Sequence, residues 1–523
     1  MKTVFQSNVF IVLTICASIS ISLHADELRL PKLINDHMVL QTGKPVALWG
    51  WSPPGTQVKA ELLDSQGKDL ASANTTAPDK DRWMLKLPQL TAGTVGTLRI
   101  TSGAIVKTFQ DVAVGEVWLA SGQSNMQYNF GMVNTPPAQL EAAKQQGNAA
   151  KGNIRFFFVD NALPQNPADD VSGHWLVING ADVPCCSPVA WYFAVALRTK
   201  IPQPVGMIVS AVGGTSVTLW MSKPTLDVTS PGPAIEKEIA GLTADVYVCL
   251  RQWQWDDDTW LKAYPTPDLQ KQNAASRPHK PGFPNPVSVF YNGMIHGLEP
   301  YTMRGIIWFQ ADGDGNHPLA YGELIKAMVN EWRTEFQDQL PFYYVEMNNM
   351  DEFPPKDPNQ GNDQLSILRQ QQQAVLELPQ TDVACSIDCG LLTPDPHFYN
   401  KEPVGQRLAL LAFNDTYGMP CAAHSPAYES MSVEGNKIRL KFKYAEGLRV
   451  RGGGDMIGFE IHGASGPWVW AQGKIDGQDI LVWNNQIPAP TEVHYAWAMN
   501  PLISVENGAS LPLRPFSTTT IKP

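Results

Sequence analysis

Between residues 112 and 424 the chain alternates apolar, strand-like runs with helical stretches, and that alternation admits few folds. Strands that follow one another through helices run parallel, and a parallel sheet must be covered by helices on both faces. Residues 205–212, 304–309 and 342–345 read as strands and residues 321–336 as a helix. On either side the pattern changes to short alternating runs separated by Gly, Pro, Asn and Asp turns. Residues 45–49 and 98–100 belong to the first such region, and residues 437–442 and 479–483 to the second. The expected organisation is an N-terminal β domain over 26–111, an α/β domain over 112–424 and a C-terminal β domain over 425–523. The stretch around residues 226–285, rich in Pro, Gln, Asp and Trp, interrupts the strand–helix rhythm as an insertion.

A chain of 523 residues, 43% of them hydrophobic, has material for about three domains with large cores. Its first 25 residues carry Lys2, an apolar run over 9–15, and small or polar residues ending in Leu23-His24-Ala25. This is the pattern of a secretory signal peptide cleaved after Ala25, so a secreted or periplasmic protein is expected. Ile15 is large for the position before a lipidated cysteine, which makes a lipid anchor at Cys16 the lesser alternative. No later stretch approaches the roughly 20 apolar residues of a membrane-spanning helix. Export permits disulfides, and Cys385 with Cys389 or Cys185 with Cys186 are candidate pairs, the connectivity being open. The CxxC…CxxC spacing of a structural zinc site is absent, and neither metal nor cofactor is expected. A formal charge of −11 argues against a nucleic-acid partner, which requires clustered Lys and Arg. The oligomeric state is open. Trp253, Trp255 and Trp260 fall in the insertion, where exposed indoles stack on sugar rings and buried ones fill cores.

The apolar run over 112–120 stops at Ser121-Gly122 and continues as Gln123-Ser124-Asn125. Open α/β folds place their ligands at the carboxyl ends of the strands, so Ser124 stands where chemistry occurs. Met126 follows Asn125, and the second glycine of the G-x-S-x-G elbow is missing, which disfavours an ordinary α/β-hydrolase. A serine at such a turn also serves as a helix cap, and this segment alone leaves both readings standing.

A serine nucleophile needs a base, a group to orient that base, and donors for the developing oxyanion. In Asp395-Pro396-His397 a carboxylate lies two residues from an imidazole, although Asp and Pro also make ordinary turns. Gly213-Gly214 follows a strand and allows close approach of backbone to a substrate. Gln310 ends another strand and offers a side-chain amide. Three strand ends carrying Ser, Gly-Gly and Gln, followed by Asp-x-His, form a set with the roles that acyl transfer requires.

Further ordered motifs are Asn35-Asp36-His37-Met38-Val39-Leu40-Gln41, Tyr291-Asn292-Gly293-Met294-Ile295, Val404-Gly405-Gln406-Arg407-Leu408-Ala409, and Val505-Glu506-Asn507 with Leu511-Pro512. With residues 120–127, Gly213-Gly214-Thr215 and Trp220, 305–310 and 395–401, they span nearly the whole mature chain. On these the chain resembles the sialate O-acetylesterase family within the SGNH (GDSL-like) hydrolases. The resemblance implies a three-layer α/β/α domain and a carbohydrate O-acetylesterase acting on an acetylated sugar or glycan. It implies Ser124 as nucleophile, His397 as general base, and Asp395 as the acid that orients the base. Ser124, Gly214 and Gln310 would supply the oxyanion hole. Two departures from the family pattern stand out: Asp312 replaces a glutamate in a loop with extra residues, and Phe398 replaces the proline after the histidine. Asp312 is therefore a possible supporting acid.

The same loop mimics a calcium site, with Asp312, Asp314, Asn316 and Glu323 at EF-hand spacing. His317 occupies the position where that turn requires glycine, and residues 305–310 upstream read as strand, so calcium is not expected. The alternatives to a serine O-acetylesterase of sialic acid or related glycans are an acetyl xylan esterase-like polysaccharide deacetylase and a non-catalytic glycan-binding protein. A lipase or protease is a weaker rival.

Overall fold

The computed structural model describes residues 28–80, 82–241, 286–351, 353–358, 364–393 and 395–519. The expected signal peptide, most of the expected insertion, and Trp253, Trp255 and Trp260 lie outside the described residues. Among the described residues no helix is long and apolar enough to cross a membrane.

The central sheet contains β1 (Ile105–Gly122), β2 (Ile154–Val159), β3 (Gly173–Val177), β4 (Val205–Ala211), β5 (Gly305–Phe309), β6 (Phe342–Glu346) and β7 (Thr381–Cys385). Its order is β7-β6-β5-β1-β4-β2-β3, parallel throughout except for β3, which runs antiparallel to β2 at the edge. The strands expected at 205–212, 304–309 and 342–345 are β4, β5 and β6, each within a residue or so of those limits.

Side chains alternate along each strand, and here both faces are apolar because both are covered. Leu119, Ile306, Trp308, Phe342 and Tyr344 join one core cluster with Leu324, Ile325, Met328 and Trp332 of the helix Tyr321–Glu335. Trp118, Ala120, Ile307, Phe309, Tyr343 and Val345 join a second cluster on the opposite face. Trp191 and Phe193 of the helix Pro188–Arg198 cover it together with Val404 and Leu408 of the helix Glu402–Leu411. This is the three-layer α/β/α arrangement. Each fully buried large side chain contributes about 1.5–3 kcal/mol of transfer free energy. Trp332 adds a directional contact, its indole N–H donating to the Trp220 carbonyl at 2.9 Å.

The expected boundary between residues 111 and 112 falls inside β1. The first part of this strand pairs antiparallel with Val95–Ser102, and the remainder lies at the centre of the parallel sheet. The antiparallel pairing runs to Ala113 and the parallel pairing starts at Glu116, and shortly before this changeover Asp111 has a φ of 53°. Buried Arg155 anchors this residue, donating to the Asp111 carbonyl and, at 3.0 Å, to its carboxylate. Beyond residue 426 the chain forms antiparallel sheets around a third core, including Lys437–Lys443 and Asp479–Trp483.

Register fixes the level of the site. Gly122 at the end of β1 pairs with Ala211 of β4 on one side and Phe309 of β5 on the other. Ser124, Gly213-Gly214 and Gln310 therefore leave three adjacent strands at one carboxyl edge.

Candidate active site

The approach of β1 to β5 sets the backbone before Ser124. Gly122 has φ 133°, and a Cβ there would lie 2.2 Å from the Phe309 carbonyl oxygen, so only glycine fits. The Gln123 N–H donates to the same carbonyl at 2.9 Å, and the chain turns into the short helix Ser124–Gln127. Gln123 is the N-cap of this helix and no side chain caps it, so the capping role does not explain Ser124.

The Ser124 hydroxyl instead lies 2.8 Å from Nε2 of His397. Nδ1 of the same imidazole is 2.5 Å from Oδ1 of Asp395, which also accepts the His397 backbone N–H at 2.9 Å. An ionised carboxylate only accepts, so Nδ1 carries the proton and Nε2 is left to accept from the serine. Ser124 is buried, whereas the Asp395 side chain is 60% exposed and that of His397 is 24% exposed. Tyr128 stacks on the imidazole with ring centroids 4.6 Å apart.

Gly213 packs against the serine: its N–H donates to Oε1 of Gln127 at 2.8 Å, and an added Cβ would lie 3.1 Å from Cβ of Ser124. Gly214 has φ 70° and faces open space where a side chain would project. Asn125 ties the serine turn to the histidine loop. Its Nδ2 donates to the Pro396 carbonyl at 3.2 Å, and its Oδ1 accepts from Lys401. Lys401 is completely buried with its ammonium 3.3 Å from the centre of the Phe398 ring, and burial holds its pKa well below the usual lysine range. Phe398 thus gives Lys401 an aromatic face that proline would not.

The family profile described as carbohydrate esterase, sialic acid-specific acetylesterase, matches residues 284–413. The sialate O-acetylesterase of Mus musculus is 26% identical over 427 residues, covering 75% of this chain and 74% of the relative. That of Homo sapiens is 25% identical over 467 residues, covering 83% and 79%. The crystal structure of a carbohydrate acetylesterase from Xanthomonas citri superposes with a TM-score of 0.76 at 29% identity, covering 95% of this chain and 100% of that one. On these matches the chain is similar to the sialate O-acetylesterases. The matched segment holds Gln310, Asp312, Asp395 and His397, and Ser124 is brought to them from outside it by β1.

One member of the set that the sialate O-acetylesterase resemblance implied is turned elsewhere. The Gln310 amide donates to the Thr215 carbonyl at 2.9 Å and to Oδ2 of Asp314 at 2.6 Å, while its oxygen accepts from Tyr321 at 3.0 Å. Both amide hydrogens are engaged and the residue is fully buried, so the expectation that Gln310 faces the oxyanion is corrected. The cause is Asp314, in the loop that departs from the family pattern. Burial raises its carboxyl to about 7, against the donors Gln310 and the Val217 N–H.

Asp312 makes no hydrogen bond to His397, and its Oδ1 is buried without a partner among the described residues. Burial raises its pKa, and the neighbouring His397 opposes that rise. The carboxylate is thus near the imidazole electrostatically without orienting it. Asp314 and Glu323 are separately engaged, Glu323 accepting the Ser230 N–H at 2.6 Å, so the calcium-like spacing does not gather these acids. The candidate disulfide partners Cys185, Cys186, Cys385 and Cys389 are free thiols, as is Cys421. Sequence reasoning missed Tyr128 and the Asn125–Lys401 pair. Asn125, directly after the nucleophile candidate, was the available signal for the pair.

Proposed function

We propose that this protein is a secreted carbohydrate O-acetylesterase that hydrolyses acetyl esters of sialic acid or related glycans through an acetyl-Ser124 intermediate. The observation that carries the proposal is the Asp395–His397–Ser124 relay, with contacts of 2.5 and 2.8 Å at the carboxyl edge of the sheet. His397 Nε2 takes the hydroxyl proton as Ser124 Oγ bonds to the acetyl carbon, and Asp395 stabilises the resulting imidazolium. The backbone N–H groups of Ser124 and Gly214 receive the negative oxygen, and Gln310 is left out of this role. The tetrahedral intermediate collapses as His397 protonates the departing sugar hydroxyl. Water, deprotonated by the same imidazole, then adds to acetyl-Ser124, and acetate leaves as the serine recovers its proton.

The sialate choice is supported by the curated relatives, and a wider polysaccharide deacetylase reading by the likeness to the Xanthomonas citri carbohydrate acetylesterase. Acetate release from 9-O-acetyl sialic acid, acetylated xylan and acetylated pectin separates them. The sialic acid ester is expected to react with the highest kcat/KM, and preference for xylan or pectin would overturn the sialate assignment while leaving the serine chemistry intact. Release from none of the three would overturn the esterase reading.

A further inference from the structure

Three side chains from separate elements converge at the outer edge of the sheet, away from the serine. Asp382 lies on the edge strand β7, three places from β1. Asp415 lies in the turn Ala412–Thr416 that continues the helix Glu402–Leu411, and His424 in the segment leading to the strand Ala427–Glu434. Nε2 of His424 is 2.9 Å from Oδ2 of Asp382 and 3.4 Å from Oδ2 of Asp415, and the three atoms lie within 4.8 Å of one another.

The surroundings aim these atoms at a common point. Oδ1 of Asp382 accepts the Val383 N–H at 2.7 Å, and Oδ1 of Asp415 accepts from Nδ2 of Asn414 at 2.7 Å. Each carboxylate therefore turns only its Oδ2 toward the imidazole. Tyr444 stacks on the His424 ring at 4.3 Å, and Asn507 Nδ2 donates to the carbonyls of both His424 and Tyr444 at 3.0 and 3.3 Å. One imidazole nitrogen carries at most one proton, which two carboxylates must share.

Ligand atoms in a tetrahedral zinc site, about 2.0–2.1 Å from the ion, stand roughly 3.3 Å apart. The two nitrogen–oxygen separations already bracket that value. With the His424 proton displaced on metal binding, two carboxylates and the imidazole leave a charge that a divalent ion balances. The imidazole favours zinc over calcium or magnesium, which prefer all-oxygen sites. The side chains are 13%, 22% and 29% exposed, which lets an ion enter and a water complete its coordination.

We infer that Asp382, Asp415 and His424 form a binding site for a zinc-class divalent ion that pins the edge strand to the segment entering the C-terminal sheets. The sequence conceals it, because its ligands are scattered and none belongs to a zinc motif. The inference is independent of the esterase reading.

The test is calorimetric titration of the full-length, chelator-stripped chain with zinc chloride at neutral pH, alongside the Asp382→Asn/Asp415→Asn double variant. The amides keep the shape and the hydrogen bonding while removing the ionised ligands. The wild type is expected to bind one zinc, with affinity at least about tenfold weaker in the double variant. His424→Gln, which retains a donor for the carboxylates, is expected to lose affinity to the same extent. No zinc uptake by the wild type, equal uptake by the variants, or binding of calcium in preference to zinc would each overturn the inference.

Discussion

Nε2 of His397 lies 2.8 Å from Oγ of Ser124, although 273 positions separate the two residues in the chain. The parallel sheet closes that gap. β1 delivers the serine at its carboxyl end, and the histidine loop is held over it through Asn125, Pro396 and Lys401.

The two acids beside His397 are expected to contribute unequally. Asp395 bonds Nδ1 and Asp312 does not. Asp395→Asn should lower kcat on p-nitrophenyl acetate by roughly 10²- to 10⁴-fold, because the imidazolium loses its counter-charge and the imidazole its tautomer. Asp312→Asn should cost less than about tenfold. The reverse order would assign the orienting role to Asp312.

The rate should fall on the acid side, since a protonated imidazole cannot take the serine proton. A kcat/KM profile measured between about pH 5 and 8 is the check. A flat profile would contradict a histidine base.

Gly122→Ala should destabilise the fold by about 3 kcal/mol or more, because the new Cβ meets the Phe309 carbonyl at 2.2 Å in a backbone conformation unfavourable to alanine. Urea denaturation measures this, and a loss below about 1 kcal/mol would show that the strands can separate at little cost.

Asp314 links stability to pH. Its folded carboxyl is raised by burial to about 7, above an ordinary value near 4, so the folded state favours the protonated form. That contribution is complete below about pH 4 and is lost as pH rises through about 7. The unfolding free energy of the wild type should therefore decline across this window relative to Asp314→Asn, whose amide does not titrate. Parallel curves for the two proteins would contradict the shift.

The legible parts of the fold were those written in local patterns. Apolar runs such as Gly305–Phe309 and the alternation in Lys437–Lys443 announce strands by themselves, and Ser124 and His397 were conspicuous as residues at strand ends and in a short Asp-x-His loop. The orientation of Gln310 was not legible, because Asp314, Thr215 and Tyr321 decide it through side-chain competition. The positive φ at Asp111 was equally hidden. Arg155, which bonds the residue there, lies 44 residues away in the chain.

The most direct test of the central claim is peptide-mapping mass spectrometry after treatment with a fluorophosphonate, compared with acetate release by Ser124→Ala. One adduct is expected, on the peptide carrying Ser124, with activity lost in proportion to labelling, and Ser124→Ala should show neither adduct nor acetate release above background. Wild-type acetate release by Ser124→Ala would contradict the mechanism.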